Sequence, residues 1–173
     1  SMTFWNARSL HHSDLALRFS RQRFVQKLMS RFDLCAFVET HLPQRLALDY
    51  VHSSRHHVFA SQGPHDQAAG GILLLLRRSI TPTVDFDIII PGRAVAVRFH
   101  TAAANVMIVA AHVQDTEDSS WKQTSAAISA HLEAFPDWST FILADMNFDG
   151  DICDRWSEAK EAFCGRRSYR ASL

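Results

Sequence analysis

Residues 141–150 read Phe-Ile-Leu-Ala-Asp-Met-Asn-Phe-Asp-Gly, "FILADMNFDG": four apolar residues that break into acid, amide and acid. A short apolar run with branched and aromatic side chains reads as a strand, Phe141 to Ala144, ending on Asp145. In extended chain a spacing of two puts side chains on one face, so Asp145 and Asn147 point into the same space. Taken alone, this is also what the start of an acidic loop looks like. Three other segments repeat the habit: Thr3-Phe-Trp delivers Asn6, Leu34 to Val38 delivers Glu39, and Val106 to Ala111 delivers His112. Together they describe a sheet whose strand ends converge on one edge, the usual place for a site in a sheet-based enzyme.

At 173 residues the chain fits a single domain. A domain of about that size buries roughly 70% of its unfolded surface, so it needs no disulfide or metal staple to fold. Hydrophobic residues make up 47%, charged residues 21%, and the formal net charge is zero. That profile excludes disordered and fibrous classes and selects no partner by charge. Cys35, Cys153 and Cys164 are odd in number and lack C-x-x-C spacing, which argues against a zinc knuckle or disulfide framework and for a reducing, intracellular setting. The longest apolar run, Ile72 to Leu76, is far short of the roughly 18 residues of a membrane span, and no membrane association is expected. Ser1-Met2 reads as a cloning remnant.

Two segments carry helical periodicity. The first, capped by Ser13, sets Phe24, Val25, Leu28, Met29 and Phe32 on one stripe and leaves Arg21, Arg23, Lys27 and Arg31 largely outside. The second begins near Asp118-Ser119, carries Trp121, Ile128, Leu132 and Phe135, and stops before Pro136. Besides the four segments above, Ile72 to Leu76 and Ala94 to Phe99 read as strands, most of them apolar on both faces. A sheet covered by helices or by a second sheet follows. The tail, with Trp156, Ala159, Ala162 and Phe163 at helical spacing, reads as a short amphipathic helix before a basic end at Arg166-Arg167. The paired histidines His11-His12 and His56-His57 read as surface residues, and Gly70-Gly71 lacks the lysine-serine continuation of an NTPase phosphate loop.

Two carboxylates brought into a partly desolvated cleft repel one another, and a cation is the natural resolution. Carboxylate and amide oxygens without cysteine favour Mg²⁺ or Mn²⁺ over zinc. Such an ion clamps a phosphoryl oxygen, His112 can donate to the phosphate, and Asp145 with Asn147 can orient a water for in-line attack. Phosphoester hydrolysis is the expected reaction.

The ordered set Trp5-Asn6, Val38-Glu39-Thr40-His41, Gly70-Gly71-Ile72-Leu73, Gly92-Arg93, Ala111-His112 and Ala144-Asp145-Met146-Asn147 resembles the endonuclease/exonuclease/phosphatase superfamily, the DNase I-like proteins. The wording of "WNARSL", "VETHL", "GGILLLL", "PGR" and "ADMNF" is most similar to the apurinic-type endonuclease domains of non-LTR retrotransposons. The resemblance implies a four-layered α/β sandwich with mixed, mostly antiparallel sheets and flanking helices. It also implies Mg²⁺ held by Glu39 with Asn6, phosphate contact by His112, and Asp145 and Asn147 serving nucleophile and phosphate. Arg8, Arg18, Arg21 and Arg93 are the candidates for contact with DNA, and a place in a mobile element would imply a nuclear location. Histidine at 112 is shared with DNase-like and phosphatase members, where apurinic-type members carry tyrosine.

The family's closing serine-aspartate-histidine motif has no counterpart after Asn147, and the last histidine is His131. The resemblance therefore implies one C-terminally truncated domain over 1–173, half of the sandwich. Such a half would expose an apolar sheet face to a homodimer partner or to the missing half. DNA nicking is the leading expectation. The alternatives are a non-catalytic nucleic-acid-binding or assembly module and a small-molecule phosphoesterase.

Overall fold

The computed structural model describes residues 1–11, 13–43, 46–47, 51, 54–63, 70–113 and 118–145, and two dipeptide strands at 156–157 and 162–163. In chain order the elements are β1 (Met2–Asn6), α1 (Leu15–Arg31), β2 (Leu34–Val38), β3 (His56–Ser61), β4 (Ile72–Arg77), β5 (Asp85–Ile90), β6 (Ala94–His100), β7 (Asn105–His112), α2 (Asp118–Glu133), β8 (Ser139–Asp145), β9 (Trp156–Ser157) and β10 (Ala162–Phe163). The first four strands form one sheet in the order β1-β2-β4-β3, and the next four a second in the order β5-β6-β7-β8. In each sheet a single outer pair is parallel, β1 with β2 and β7 with β8, and the remaining pairs are antiparallel. Each parallel pair is bridged by a helix, as a parallel connection requires. The chain thus contains two βαβ units, β1-α1-β2 and β7-α2-β8.

The strands that are apolar on both faces explain the layering. Leu34, Ala36 and Val38 of β2 and Ile72, Leu74 and Leu76 of β4 pack inward against Val95, Val97 and Phe99 of β6 and Ile108 and Ala110 of β7. The alternate residues Cys35, Phe37, Leu73 and Leu75 face outward onto Val25 and Met29 of α1. On the other flank Ala96, Met107 and Val109 meet Ile128 and Leu132 of α2, followed by Phe135 and Trp138. Phe37, Leu74, Leu75 and Val97 are completely buried, each contributing about 1.5–3 kcal/mol of burial. Arg98 secures the α2 flank: its Nε donates to Asp87 Oδ2 at 2.8 Å and its guanidinium lies 4.0 Å from the Phe135 ring centroid.

Helix, sheet, sheet and helix are all formed by described residues, and the inner faces of the two sheets cover each other in place of the expected bare sheet face. The exposed large apolar residues lie instead on α1, on the outermost strands, Met2 and Trp5 on β1, Ile88 on β5, Phe141 and Ile142 on β8, and at Ile80 on the turn after β4. Phe141-Ile142 looked like core in the sequence because an edge strand paired on one side keeps the apolar composition of its neighbours.

Other expectations are corrected. The cap of α1 is Asp14, whose side chain accepts from the backbone N–H groups of Ala16 and Leu17, and not Ser13. Phe24 is not core; it packs edge-on against Trp5, with ring centroids 4.0 Å apart, and both remain exposed. The tail forms the short antiparallel pair β9–β10 in place of a helix over Trp156 and Phe163. His56 is buried, and His57 sits 3.1 Å from the carbonyl of Thr81 and stacks on Phe59. His12 and Arg166-Arg167 lie outside the described residues.

Candidate active site

Parallel pairing places both strand C-termini of a pair at the same end, which is why the polar endings converge. In β1–β2 the last rung is Asn6 opposite Val38, with Glu39 next; in β7–β8 it is His112 opposite Asp145. The two sheets then bring these ends together face to face. Asn6 Nδ2 donates to Asp145 Oδ2 at 2.8 Å, and His112 Nε2 lies 3.0 Å from Glu39 Oε1. Both contacts cross from one βαβ unit to the other. Asn6 Oδ1 accepts the backbone N–H of Arg8 at 3.0 Å, which orients the amide for its bond to Asp145.

The backbone that follows β1 and β2 is held in an unusual form. Arg8, Ser9, Glu39 and His41 have φ of 43°, 76°, 52° and 48°, left-handed values that cost non-glycine residues on the order of 1–3 kcal/mol each and persist only where neighbours over-determine them. Here they are over-determined from two sides. Ser9 N–H donates to the carbonyl of Glu39 and Leu10 N–H to that of Thr40, while Thr40 and His41 N–H groups donate to Gly71 and Gly70. Gly71, at φ 99°, must be glycine: a Cβ there would stand 2.6 Å from Thr40 Oγ1. Gly92, which backs Gly71 through its carbonyl, has room for no Cβ either, since Gly63 N would lie 2.4 Å away.

The His112 side chain is 5% exposed, against 28% for Glu39. Burial pushes its pKa below the ordinary histidine range; Glu39 and Asp145 pull it upward, and Arg93 and His41 add to the depression. His112 is therefore a neutral imidazole at neutral pH, its proton placed on Nε2 by inference from the carboxylate it faces. Glu39 Oε1 lies 3.0 Å from His112 and Asp145 is its cross-strand neighbour, so the two carboxylates flank one histidine. Asn6, Glu39, His112 and Asp145 are all brought together as the sequence predicts, and Asn147 lies outside the described residues.

The basic candidates divide. Arg93 joins the site, its carbonyl accepting the His112 N–H at 2.8 Å and its charge acting on the ring. Arg8 lies on the loop beside Asn6, with its side chain exposed. Arg21 is turned to structure: its guanidinium donates to the carbonyl of Ser9, fastening α1 to that loop. Arg18 lies on the first turns of α1, where its backbone N–H closes the helix onto Asp14. His41 was not singled out from the sequence although its charge reaches His112; its place two residues after Glu39 was the available signal.

The donors at this edge are all oxygen: one carboxylate each from Glu39 and Asp145 and the amide carbonyl of Asn6. That set suits a hard divalent ion that keeps several waters. Among the described residues no group of three or more His, Cys, Asp or Glu is gathered for a metal.

No protein-family model and no curated protein sequence matches the chain. Solved structures do match. The catalytic domain of APE2 from Xenopus laevis superposes with a TM-score of 0.64 at 12% identity, covering 88% of this chain and 60% of that one. A mannosyl-6-phosphatase and an endonuclease/exonuclease/phosphatase family protein, both of Bacteroides thetaiotaomicron, superpose with the same TM-score of 0.64 at 11% identity. Each covers 86% of this chain, which spans 65% and 63% of their lengths. At these identities the likeness establishes the fold.

Proposed function

We propose, on the premise of a chain with the DNase I-like fold of endonuclease/exonuclease/phosphatase proteins, that it hydrolyses phosphodiesters with Mg²⁺ or Mn²⁺ and nicks DNA. In this reading it is an endonuclease domain of the kind found in non-LTR retrotransposons, with a nuclear place of action. The observation that carries the hydrolytic reading is the pair of cross-unit contacts, Asn6 to Asp145 and Glu39 to His112, made at one edge around a buried neutral imidazole. The wording of the strand-end motifs and the arginines Arg8 and Arg93 beside the site support DNA as the substrate.

Glu39, with Asn6, would hold the cation, which when bound would supply positive charge to the phosphoryl and leaving oxygens. Asp145, fixed by the Asn6 amide, is placed with Asn147 to orient the attacking water. His112 is the donor to the phosphate in this reading: its single N–H faces Glu39 Oε1 in the free protein. That N–H would pass to a phosphate oxygen once Glu39 turns to the cation, without the desolvation cost of a buried charge. Burial of Thr40 and His112 keeps bulk water from the back of the site.

Two further readings have their own support. The last histidine, His131, faces Asp87 at 3.7 Å beside Phe135. It sits on the outer flank, away from this edge, and a module that binds nucleic acid without turnover is the second reading. The mannosyl-6-phosphatase among the fold neighbours favours a small phosphomonoester. We further propose that the exposed edge strands β1 and β8 receive additional strands, from further chain or from a second copy.

Plasmid nicking in Mg²⁺ tests the main reading. Glu39→Ala and Asp145→Ala should each lower it by at least about 100-fold while circular dichroism stays unchanged. Undiminished nicking in either variant sinks the assignment. Salt-sensitive DNA retention with no nicking by the parent chain selects the binding module, and release of phosphate from sugar phosphates selects the phosphomonoesterase.

A further inference from the structure

The end of the first sheet opposite Glu39 carries a cavity of about 720 Å³ that the hydrolytic reading does not use. Its lining includes Arg55, Arg77, Arg78, Ser30, Ser79 and His56, and no described lining residue is a carboxylate. Antiparallel pairing assembles it. His56 stands opposite Arg77, and the Arg78 N–H donates to the carbonyl of Arg55 at 2.8 Å, so arginines distant in sequence occupy adjacent rungs.

The three arginines differ in duty. Arg77 is structural: it lies 3.2 Å from Asp33 and donates to the carbonyls of Met29 and Phe32 at the end of α1. Arg55 and Arg78 are exposed at the rim, on the turns flanking β3 and β4. The floor is His56, 7% exposed. Burial first, and then the charge of Arg77, hold its pKa below the ordinary range, so the floor is a neutral ring under a positive rim.

We infer that this cavity is a binding site for a small molecule carrying two or more linked phosphates. The volume lies within the range of small-molecule pockets, about 300–1,000 Å³. Guanidinium forks flanked by hydroxyls are suited to phosphate oxygens, which they grip bidentately. Five strand residues, about 16 Å at the usual rise, separate it from the Glu39 edge. A ligand of this size therefore sits clear of the hydrolytic site, and the inference stands whether or not that reading holds.

Titration calorimetry with tripolyphosphate, in EDTA to silence any metal at the other end, tests it. The expected result is saturable binding of one molecule per chain, weakened at least about tenfold in Arg55→Glu/Arg78→Glu and unchanged in Glu39→Gln. Arg55→Lys/Arg78→Lys, which keeps the charge but loses the fork, should fall between, and thermal melts of each variant confirm folding. Absence of saturable binding overturns the inference, as does equal affinity in the charge-reversed variant or loss in Glu39→Gln. A short single-stranded oligonucleotide that binds through Arg55 and Arg78 where tripolyphosphate does not would replace it with a nucleic-acid surface.

Discussion

The two ends of strand β2 are built from the same ladder and carry opposite chemistry. Beyond Val38 the sheet ends in Glu39, with Asn6, Asp145 and His112 around it; before Leu34 it ends at Asp33, whose carboxylate is taken up by Arg77 of β4, with Arg55 and Arg78 beyond. The first end is closed by left-handed backbone and by contacts from the second sheet, so its groups are fixed before any ligand arrives. The second is an open cavity whose rim arginines are exposed. Fixed acids and amides suit chemistry at a defined atom, whereas exposed cations suit retention of an anion whose exact pose matters less.

Because one strand joins the two ends, a break in its middle should affect both. Phe37→Ala, at a completely buried position facing α1, is expected to cost about 3–5 kcal/mol. Urea melts would show it, and nicking and tripolyphosphate binding should fail together near the new midpoint. Gly71→Ala should separate the ends. Its Cβ would meet Thr40 Oγ1 and its φ is 99°, so a loss of about 1–3 kcal/mol is expected. That loss should come with reduced nicking and unaltered tripolyphosphate affinity, read in the same two assays.

The smallest effect is in pH. His112 and His56 both have pKa values lowered from 6.5, chiefly by burial. A depressed histidine binds fewer protons folded than unfolded in this range. Its stabilising contribution is complete above the unfolded value and is lost as pH falls through that value toward the folded one. The urea midpoint should therefore drop between about pH 7.5 and about pH 5. His112→Gln should shrink the drop in part, the remainder belonging to His56. A midpoint independent of pH across that interval would mean that neither ring is buried neutral.

How much of this was legible depended on range. Strands such as Leu34–Val38 and Ile72–Leu76 declare themselves because both of their faces are buried, one against a sheet and one against a helix. β3 and β5 were missed: His56-His57 opens the first and masks its apolar run, whereas the second does carry a strand signal, the alternation Val84-Asp85-Phe86-Asp87-Ile88, which was overlooked. Asn6, Glu39, His112 and Asp145 were legible because each ends an apolar run. That they touch in the pairs Asn6–Asp145 and Glu39–His112 was not, since contacts between residues 139 and 73 positions apart belong to topology. Arg55 and Arg78 were invisible for the same reason: only the β3–β4 pairing makes them neighbours. The bare sheet face was expected from the missing closing motif; the division of the apolar strands into two mutually covering sheets is set by their pairing, which no single segment shows.

Both short contacts at the acidic edge join β1-α1-β2 to β7-α2-β8, and neither lies within one unit. Each unit can form its helix and parallel pair locally, yet the site exists only once the two have docked. In refolding, far-ultraviolet ellipticity should therefore recover before the Glu39–His112 contact does, and the edge that resembles an active site is also a late marker of the native state.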